Sequence, residues 1–298
     1  MNKYYKYLIR VEARRLAQLV QIPLLKLFNK NNKITKLKGI KTGKSCVIIG
    51  NGPSLNYDDL NVIQKYGIDT FGSNRIVDIL GKTEWHPTYL CIADPTFLLK
   101  SHNNSAIDEY VKKANNYGIR KMFFSNILER FIDINKYNNI YFFNIVYAPF
   151  FSKLILPFNK DIQSWVSDLG GVTHFAIQLA CYMGYSKIYL YGVDNTYTKY
   201  LDNNGNFAVN NTINKSHADG MKTDEYDNIS NIIPHNKSKA YSVGGVADKR
   251  KSDIGYGKCK KYAENNNIKI INLTRGGQLD IFTREKFENV FKNKEEEK

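Results

Sequence analysis

Short apolar runs recur along the chain, separated by stretches in which apolar and polar residues mix. The first run is Ser45–Gly50, whose inner residues are Cys, Val, Ile and Ile. A continuous apolar run of this length is typical of a strand that is buried on both faces. The other segments that are predicted as strands are Thr70–Phe71, Tyr89–Ala93, Lys121–Phe124, Ile140–Phe143, Lys187–Tyr191 and Ile268–Ile271.

Helical stretches lie between these strands. Their predicted bounds are 58–66, 106–117, 172–183 and 255–266. Strands that alternate with helices form right-handed βαβ units, in which neighbouring strands run parallel. The pattern therefore predicts an α/β fold of the Rossmann-like, doubly wound kind, in which a mostly parallel sheet has helices on both faces.

Two segments depart from this alternation. Residues 1–42 mix Arg and Lys with apolar residues, which predicts a basic amphipathic helix, ended or kinked at Pro23, and then a linker. Such a helix either lies in an anionic membrane interface or packs on the core with a solvated basic face, and the pattern leaves both open. Between about 197 and 250, Asn, Asp, Lys, Gly and Ser dominate, so this segment is predicted to be a flexible lid. Residues 43–290, including the lid, then form one Rossmann-like domain.

Composition narrows the class of protein. Hydrophobic residues make up 43% of the 298 residues, which excludes a disordered chain. The net charge of +15 favours an acidic partner, whether nucleic acid, an anionic bilayer or a phosphorylated substrate. A nucleic-acid binder should show a basic stripe with interleaved aromatic residues or a known binding module. The sequence shows neither, so we expect no nucleic-acid partner.

The cysteines and the absence of long apolar runs bear on location. The four cysteines lie far apart, without the paired spacings of a zinc site or a redox dithiol, and are predicted to be reduced and mostly buried. No apolar run approaches the ~18–20 residues that span a bilayer, and the N-terminus lacks the features of a signal peptide. We therefore expect a cytoplasmic enzyme, with peripheral contact with the inner membrane if the basic helix binds lipid.

The loop after the first strand is the first candidate for chemistry. Its residues are Gly50, Asn51, Gly52, Pro53 and Ser54. Ligands of open α/β sheets bind beyond the carboxyl ends of the strands, where glycines let the backbone approach a phosphate. The loop lacks the third glycine of a dinucleotide site and the Lys of a Walker loop. A tight strand-to-helix turn with a capping Ser is the alternative.

A second candidate surrounds the helix predicted over 172–183. Gly170 and Gly171 precede it, Val172 and Thr173 begin it, and Asp194 closes the strand that follows. The first turn of a helix has unpaired amides that favour anions, and Asp194 is a candidate for binding ribose hydroxyls or orienting a base. Close packing of this helix on the sheet would also explain the glycines.

These motifs, with Gly72–Asn74 and Ile92–Pro95, resemble those of bacterial sialyltransferases of the Campylobacter lipooligosaccharide type. The segment Ile271–Phe282 resembles a neighbouring group more closely, the MptE-like or motility-associated-factor proteins. Together the likeness spans about residues 45–285. Both groups have a Rossmann-like core, and the resemblance implies binding of a nucleotide donor, which is a CMP-sugar in the sialyltransferases.

The resemblance also implies roles for single residues. Asn51 and Ser54 would lie near the donor phosphate, Asn74 and Asp94 near the donor, and Gly171–Thr173 near the cytidine. The sialyltransferases use a lid histidine as general base and two tyrosines to hold the departing phosphate. This chain departs from that pattern, since Thr196 stands at the first tyrosine position. The residues available as substitutes are His217, with Asp219 to orient it, His235, Tyr197 and Tyr200.

The leading prediction is therefore a glycosyltransferase that moves a sugar, sialic-acid-like or other, from a CMP-activated donor to a cell-surface glycan or lipid-linked acceptor. This chemistry requires neither metal nor cofactor. The alternative is an MptE-like ATP-dependent pyrophosphokinase, in which Asp94 and Asp194 would hold Mg²⁺. A dinucleotide-dependent oxidoreductase ranks last, because the glycine spacing is wrong and only Asp69 lies where the ribose-binding acid is expected. The donor sugar and the oligomeric state, including a homo-oligomer, stay open.

Overall fold

The computed structural model describes residues 13, 15–23, 32–93, 104–148, 155–202, 204, 207–212, 217–221 and 247–291. Its strands are β1 Ser45–Ile49, β2 Asp69–Ser73, β3 Tyr89–Ile92, β4 Lys121–Ser125, β5 Ile140–Phe143, β6 Ile145–Val146, β7 Val166–Ser167, β8 Lys187–Tyr191, β9 Lys199–Leu201, β10 Phe207–Val209, β11 Ala247–Asp248, β12 Lys269–Asn272 and β13 Thr283–Arg284. Its helices are α1 Asn32–Thr35, α2 Tyr57–Tyr66, α3 Asn104–Asn116, α4 Val172–Met183, α5 Lys249–Asn265 and α6 Phe287–Val290. Residues 15–23 are helical as well, and two 3₁₀ helices span Asn74–Ile79 and Asn126–Phe131.

Eight strands form one sheet in the order β13-β12-β8-β1-β2-β3-β4-β5. Every neighbouring pair in this sheet is parallel. The chain runs outward from β1 to β5 and then returns to the other side of β1 with β8. The predicted Rossmann-like α/β fold is therefore confirmed, and the strand order reverses between β1 and β8.

The apolar runs of the strands are explained by two cores, one on each face of the sheet. In β1, Cys46 and Ile48 belong to the core under α4 and α5, whereas Val47 and Ile49 belong to the core under α2. Successive strand residues point to opposite faces, so a strand covered on both sides must be apolar throughout. Helix α4 is itself buried over ten of its twelve residues, which matches its central position.

Helix boundaries follow local capping. Asn56 precedes α2, and its side chain accepts hydrogen bonds from the amides of Asp58 and Asp59. Gly67 ends the helix in the left-handed conformation, which a residue without Cβ adopts at little cost. Helix α5 begins at Lys249, six residues before the predicted start, because the Asp248 side chain accepts from the Lys251 amide and caps it.

The interval of the predicted lid contains regular structure. Strands β9, β10 and β11 form a small sheet in the order β10-β9-β11, and α5 begins at the end of the interval. These strands and the start of α5 are not among the elements predicted from the sequence. The strands are only two or three residues long. Strand β9 pairs with its near neighbour β10 and with β11, which is far away in the sequence. The mobility of the lid stays a prediction.

The cysteines behave as predicted. All four are free and buried. Burial raises the pKa of the Cys91 and Cys259 thiols well above their ordinary value and that of Cys181 to about 12, so these groups are unreactive at neutral pH. Across the part of the chain that the structure describes, no helix combines the length and the apolar character needed to cross a membrane.

Candidate active site

The loops after β1 and β8 lie side by side at the carboxyl edge of the sheet. The two strands are paired over their whole length, from Ser45 opposite Lys187 to Ile49 opposite Tyr191. Beyond the strands, the Gly52 amide donates to the carbonyl oxygen of Gly192 at 2.9 Å. In open α/β sheets, the crevice where the strand order reverses is the usual ligand site. The topology therefore brings both sequence motifs to this position.

Glycines are required here because the two loops nearly touch. A Cβ on Gly50 would lie 2.2 Å from the Gly192 oxygen, and one on Gly52 would lie 1.8 Å from Oδ2 of Asp194. Neither distance is possible for real atoms, so both positions exclude a side chain. The structure thus gives these glycines a packing role between the loops. Phosphate binding at the same loop stays a prediction.

Ser54 and Asp194 join the two motifs directly. The Ser54 hydroxyl donates to Oδ2 of Asp194 at 2.7 Å, and the Ser54 amide approaches the same oxygen at 3.4 Å. Asp194 is only 6% exposed, and burial raises its pKa although the bonds from Ser54 act in the opposite direction. Its main-chain oxygen accepts from the Gln278 amide at 2.7 Å. Asp194 is therefore held by residues from two other loops.

Asn51 and Asn74 carry unsatisfied acceptors beside this pair. Nδ2 of Asn51 donates to the Ser73 carbonyl oxygen at 3.0 Å. Oδ1 of Asn51 and Oδ1 of Asn74 are buried and have no hydrogen-bond partner. Asn74 also adopts the left-handed backbone conformation, with φ of 44°. Buried acceptors without partners and unusual backbone angles are typical of ligand sites.

The second motif opens helix α4. Gly171 precedes the helix and no side chain caps its first amides, unlike those of α2 and α5. Gly170 is closed in, since a Cβ there would lie 2.8 Å from Cα of Ser252. At Gly171, the nearest atom to such a Cβ is Nδ1 of His174, at 4.0 Å. Gly170 therefore has a packing role, whereas Gly171, Val172 and Thr173 leave the uncapped amides accessible to an anion.

His174 lies beneath this turn and is 1% exposed. Its Nε2 is 3.1 Å from the Ser252 carbonyl oxygen, so Nε2 carries the proton. The ring stacks on Tyr256 with 4.0 Å between centroids. Burial lowers the pKa of His174 to about 4, so the imidazole is neutral at pH 7. The burial, the hydrogen bond and the ring contact give this histidine a structural role.

The first turn of α5 contacts residues that flank the second motif. Lys251 forms an ion pair with Asp168, which lies two residues before Gly170 of the second motif. Burial alone would raise the pKa of Asp168, but the Lys251 ammonium outweighs it and holds that pKa below its ordinary value. Nδ2 of Asn195 donates to Asp253 at 2.8 Å, and Oδ1 of Asn195 accepts from the Ser252 hydroxyl at 3.2 Å. Sequence analysis missed these contacts because they join residues 57 to 83 positions apart.

One part of the lid interval reaches the first loop. The Ala218 amide donates to the Asn51 carbonyl oxygen at 2.8 Å, and Lys82 donates to the Gly220 oxygen at 3.1 Å. The Tyr57 hydroxyl donates to the main-chain oxygen of Asp219. Ala218 is 3% exposed, and its neighbour His217 is half-buried. His217 therefore lies one residue from a direct contact with the Gly50–Ser54 loop, and its orientation by the Asp219 side chain stays a prediction.

Two tyrosines and two unplaced residues complete the set. The Tyr197 hydroxyl donates to Oδ1 of Asn195 at 3.3 Å, the same oxygen that accepts from Ser252 of α5. Burial raises the pKa of Tyr197. Tyr200 lies in β9, opposite Ala247 of β11. Asp94 and His235 lie outside the described residues. Among the residues that are described, no three His, Cys, Asp or Glu side chains are grouped to hold a metal ion.

Two charged residues, Arg275 and Asp69, are engaged in contacts within the protein. Arg275 donates to Asp59 at 3.0 and 3.2 Å and lies 2.5 Å from Glu288, so it ties the last loop to α2 and α6. Asp69 begins β2 at the amino edge of the sheet, where it accepts from the Tyr185 hydroxyl at 2.7 Å. A ribose-binding acid must lie at the carboxyl edge, so Asp69 does not support dinucleotide binding.

Comparison with known proteins identifies a family. A family profile described as 6-hydroxymethylpterin diphosphokinase MptE-like matches residues 22–200, more than half of the chain. The chain belongs to the MptE-like family. Searches of curated proteins and of solved structures found no match to the chain.

The MptE-like match spans the sheet from β1 to β8 and both loop motifs, including Gly50–Ser54, Gly170–Thr173 and Asp194. It ends within β9, so His217 and α5 lie beyond it. It also stops short of Ile271–Phe282, so the predicted resemblance of that segment to the MptE-like proteins stays a prediction. The MptE-like part of the resemblance is thus confirmed, and the sialyltransferase part stays a prediction.

Proposed function

We propose that this MptE-like chain is a glycosyltransferase that moves a sugar from a CMP-activated donor to a hydroxyl of a cell-surface glycan or lipid-linked acceptor. The observation that carries the proposal is the hydrogen bond of 2.8 Å between the Ala218 amide and the Asn51 carbonyl oxygen. It anchors Ala218, the residue next to the candidate base His217, to the loop where the strand order reverses. A base next to a nucleotide-binding loop is the arrangement that sugar transfer needs.

The donor phosphate fits the start of α4. The amides of Val172 and Thr173 are uncapped, and the positive end of the helix dipole favours an anion there. The unsatisfied oxygens of Asn51 and Asn74 accept hydrogen bonds, so they suit hydroxyl groups of the donor better than its phosphate. This division differs from the expectation that Asn51 lies near the phosphate.

In the proposed reaction, the acceptor hydroxyl oxygen attacks the anomeric carbon of the donor sugar. The bond between that carbon and the phosphate oxygen breaks, and the hydroxyl proton passes to His217. Histidine suits this role because its ordinary pKa lies close to neutral pH. CMP leaves with its negative charge stabilised by the α4 amides and, in this proposal, by Tyr197. Neither metal nor cofactor enters these steps.

An ATP-dependent diphosphokinase is the alternative, and the description of the matching family favours it. Such a reaction employs Mg²⁺ to neutralise the phosphates of ATP. The residues present fit in part: Asp194 offers a carboxylate and Ser54 a hydroxyl, 2.7 Å apart at the loop. Asp94 would be the second carboxylate. Asp194 would orient ATP through this ion, and His217 would have no defined role.

We place the transferase reaction on the cytoplasmic side, at the surface of the inner membrane. A lipid-linked acceptor presents its glycan at that surface. The net charge of +15 supports contact with anionic lipid head groups. This location is part of the same proposal and is developed below.

Ligand-dependent stabilisation separates the two functions. Melting temperatures are measured with CMP, CDP, UDP, GDP, ATP and NAD, each with and without Mg²⁺, since a ligand of the native state raises the melting temperature. Stabilisation by CMP or CDP without metal supports the transferase. A response to ATP with Mg²⁺ alone replaces it with the diphosphokinase.

The role of His217 is tested on the enzyme that this panel identifies. His217→Gln should lower the rate of sugar transfer roughly 10²–10⁴-fold and leave CMP affinity unchanged, because the base acts only in the reaction. The matched control is His86→Gln, a half-buried histidine that precedes β3 at the amino edge. Equal rates for the two variants would exclude His217 as the base.

A further inference from the structure

The helix over residues 15–23 has two apolar faces. Leu19 and Ile22 point inward and pack against the core under α4 and α5. The residues of the opposite face follow a spacing of three, four and seven positions and are all exposed and apolar: Ala13, Leu16, Ala17 and Val20. Leu16 is 51% exposed and Val20 is 77% exposed. We call these four residues the outer stripe.

Charge is concentrated in the same part of the chain. Residues 1–44 contain twelve Lys and Arg and one acidic residue, Glu12, a net charge of +11 out of +15 for the whole protein. The remaining 254 residues are therefore close to neutral for their size. An apolar helical face within a strongly basic segment has the character of a surface that binds an anionic interface.

We propose that the outer stripe docks on an anionic lipid bilayer, with Leu16 and Val20 inserted among the acyl chains and the surrounding cations over the head groups. Nucleic acid would meet the charge but not the apolar stripe, since phosphate contacts come from polar and cationic groups. A second copy of the chain would meet the stripe but would bring its own +11 segment against the first in a two-fold interface. Only an anionic bilayer satisfies both features.

The docked surface lies next to the candidate site. Arg15, at the start of the helix, lies 5.7 Å over the ring of Tyr147. The Tyr147 hydroxyl donates to the carbonyl oxygen of Ala93 at 3.1 Å, just beyond the carboxyl end of β3. Arg15 therefore lies near the same sheet edge as the candidate site. This placement would bring a lipid-linked acceptor to the site, an extension that rests on the proposed function, whereas the docking itself does not.

Vesicle binding of the full chain tests the proposal. The wild type should sediment with vesicles that contain phosphatidylglycerol and not with phosphatidylcholine alone, and high salt should weaken the binding. The double variant L16S/V20S should lower the partition into anionic vesicles by at least about tenfold, because it removes the inserted apolar side chains. The control I134S/V209S changes two exposed apolar residues elsewhere in the chain, Ile134 in a turn and Val209 in β10, which are 55% and 52% exposed, and it should bind as the wild type does.

Three outcomes would overturn the proposal: failure of the wild type to bind anionic vesicles, equal binding to neutral ones, or equal losses in both double variants. A wild-type dimer that L16S/V20S converts to a monomer, without vesicle binding, would make the stripe a subunit interface. A second measurement covers poor folding of the double variant. Brominated lipids should quench the tryptophan fluorescence of Val20→Trp. The quenching reports on position 20, since both native tryptophans, Trp85 and Trp165, are buried. These experiments do not measure sugar transfer, so their results stay valid even if the proposed glycosyltransferase reaction is wrong.

Discussion

At the scale of single residues, the contact between Ser54 and Asp194 gives the most direct test of the geometry of the candidate site. Ser54→Ala removes a donor 2.7 Å from a carboxylate that is 6% exposed. We expect the free energy of unfolding to fall by about 1–2 kcal/mol, because a buried acceptor loses a partner that water does not replace. Urea denaturation measures the change. In the control Ser186→Ala, a 3.4 Å contact to Lys44 is lost at an exposed position, and the cost should be below about 0.5 kcal/mol. Similar costs for both would argue against a tight pair.

His174 predicts a pH dependence of stability. Its pKa is lowered by burial to about 4 in the native state, against about 6.5 in the unfolded chain. As the pH falls from about 6.5 to about 4, the unfolded chain takes up a proton that the native state does not. Stability should therefore fall over this window, by up to about 3 kcal/mol from this group.

Denaturation at a series of pH values checks the contribution of His174. His174→Gln should flatten the dependence between about pH 6.5 and 4, because its amide does not titrate. Ser252→Ala is the control: it keeps the main-chain oxygen that accepts from Nε2, so the dependence should persist. An unchanged slope in His174→Gln would assign the effect to other groups.

At the scale of elements, two glycines of α5 should respond in opposite ways to the same substitution. A Cβ on Gly255 would lie 1.9 Å from the Leu169 carbonyl oxygen, whereas one on Gly257 would meet only Cδ1 of Ile281 at 3.5 Å. Gly257→Ala should raise the free energy of unfolding by about 0.5–1 kcal/mol, since alanine favours the helix. Gly255→Ala should lower it by about 2 kcal/mol or more, because α5 must move off the loop that precedes α4. Urea denaturation of both variants measures the two signs. Equal effects would contradict this close packing.

The helices and strands differ in how well the sequence predicts their bounds. Strands β5 and β8 and helix α4 have the predicted bounds, because buried parallel strands and a buried helix carry their apolar pattern locally. The start of α5 was missed since its first residues are Lys, Arg, Lys and Ser, without apolar periodicity. Strands β9, β10 and β11 were missed for a related reason: pairing between segments up to 47 residues apart selects them, as for Tyr200 and Ala247.

At the scale of the whole molecule, the sheet topology determines which features of the candidate site the sequence can predict. The position of Gly50–Ser54 after the first strand predicts that this loop lies at the carboxyl edge of the sheet, as it does in the structure. The partner Asp194 is 140 residues away, and nothing near either residue indicates the pairing. Arg275 gives a second example, because it binds Asp59 of helix α2, 216 positions away in the sequence. Contacts between loops depend on strand order, which a single sequence specifies only indirectly.

This arrangement predicts that the two edges of the sheet have separable roles. At the amino edge, Asp69→Asn weakens an ion pair of 2.7 Å with Lys41 and a hydrogen bond from Tyr185, and should lower the free energy of unfolding by about 1–3 kcal/mol. At the carboxyl edge, Thr173→Asp puts a negative charge in the first turn of α4. The helix dipole favours that charge, so stability should change little, but a bound phosphate is repelled and CMP affinity should fall about tenfold or more.

Titration calorimetry with CMP and urea denaturation, both on the same variants, measure the separation between the edges. Thr173→Asn is the matched control for Thr173→Asp, because it has nearly the same shape without the charge and should retain most of the affinity. Asp69→Asn should bind CMP within about twofold of the wild type when it is folded, since its partners lie at the far end of the strands. If Asp69→Asn weakened CMP binding as much as Thr173→Asp, the assignment of ligand binding to the carboxyl edge would be wrong. If both Thr173 variants bound like the wild type, the phosphate would have to lie away from the α4 amides, and the Gly50–Ser54 loop would become its remaining candidate.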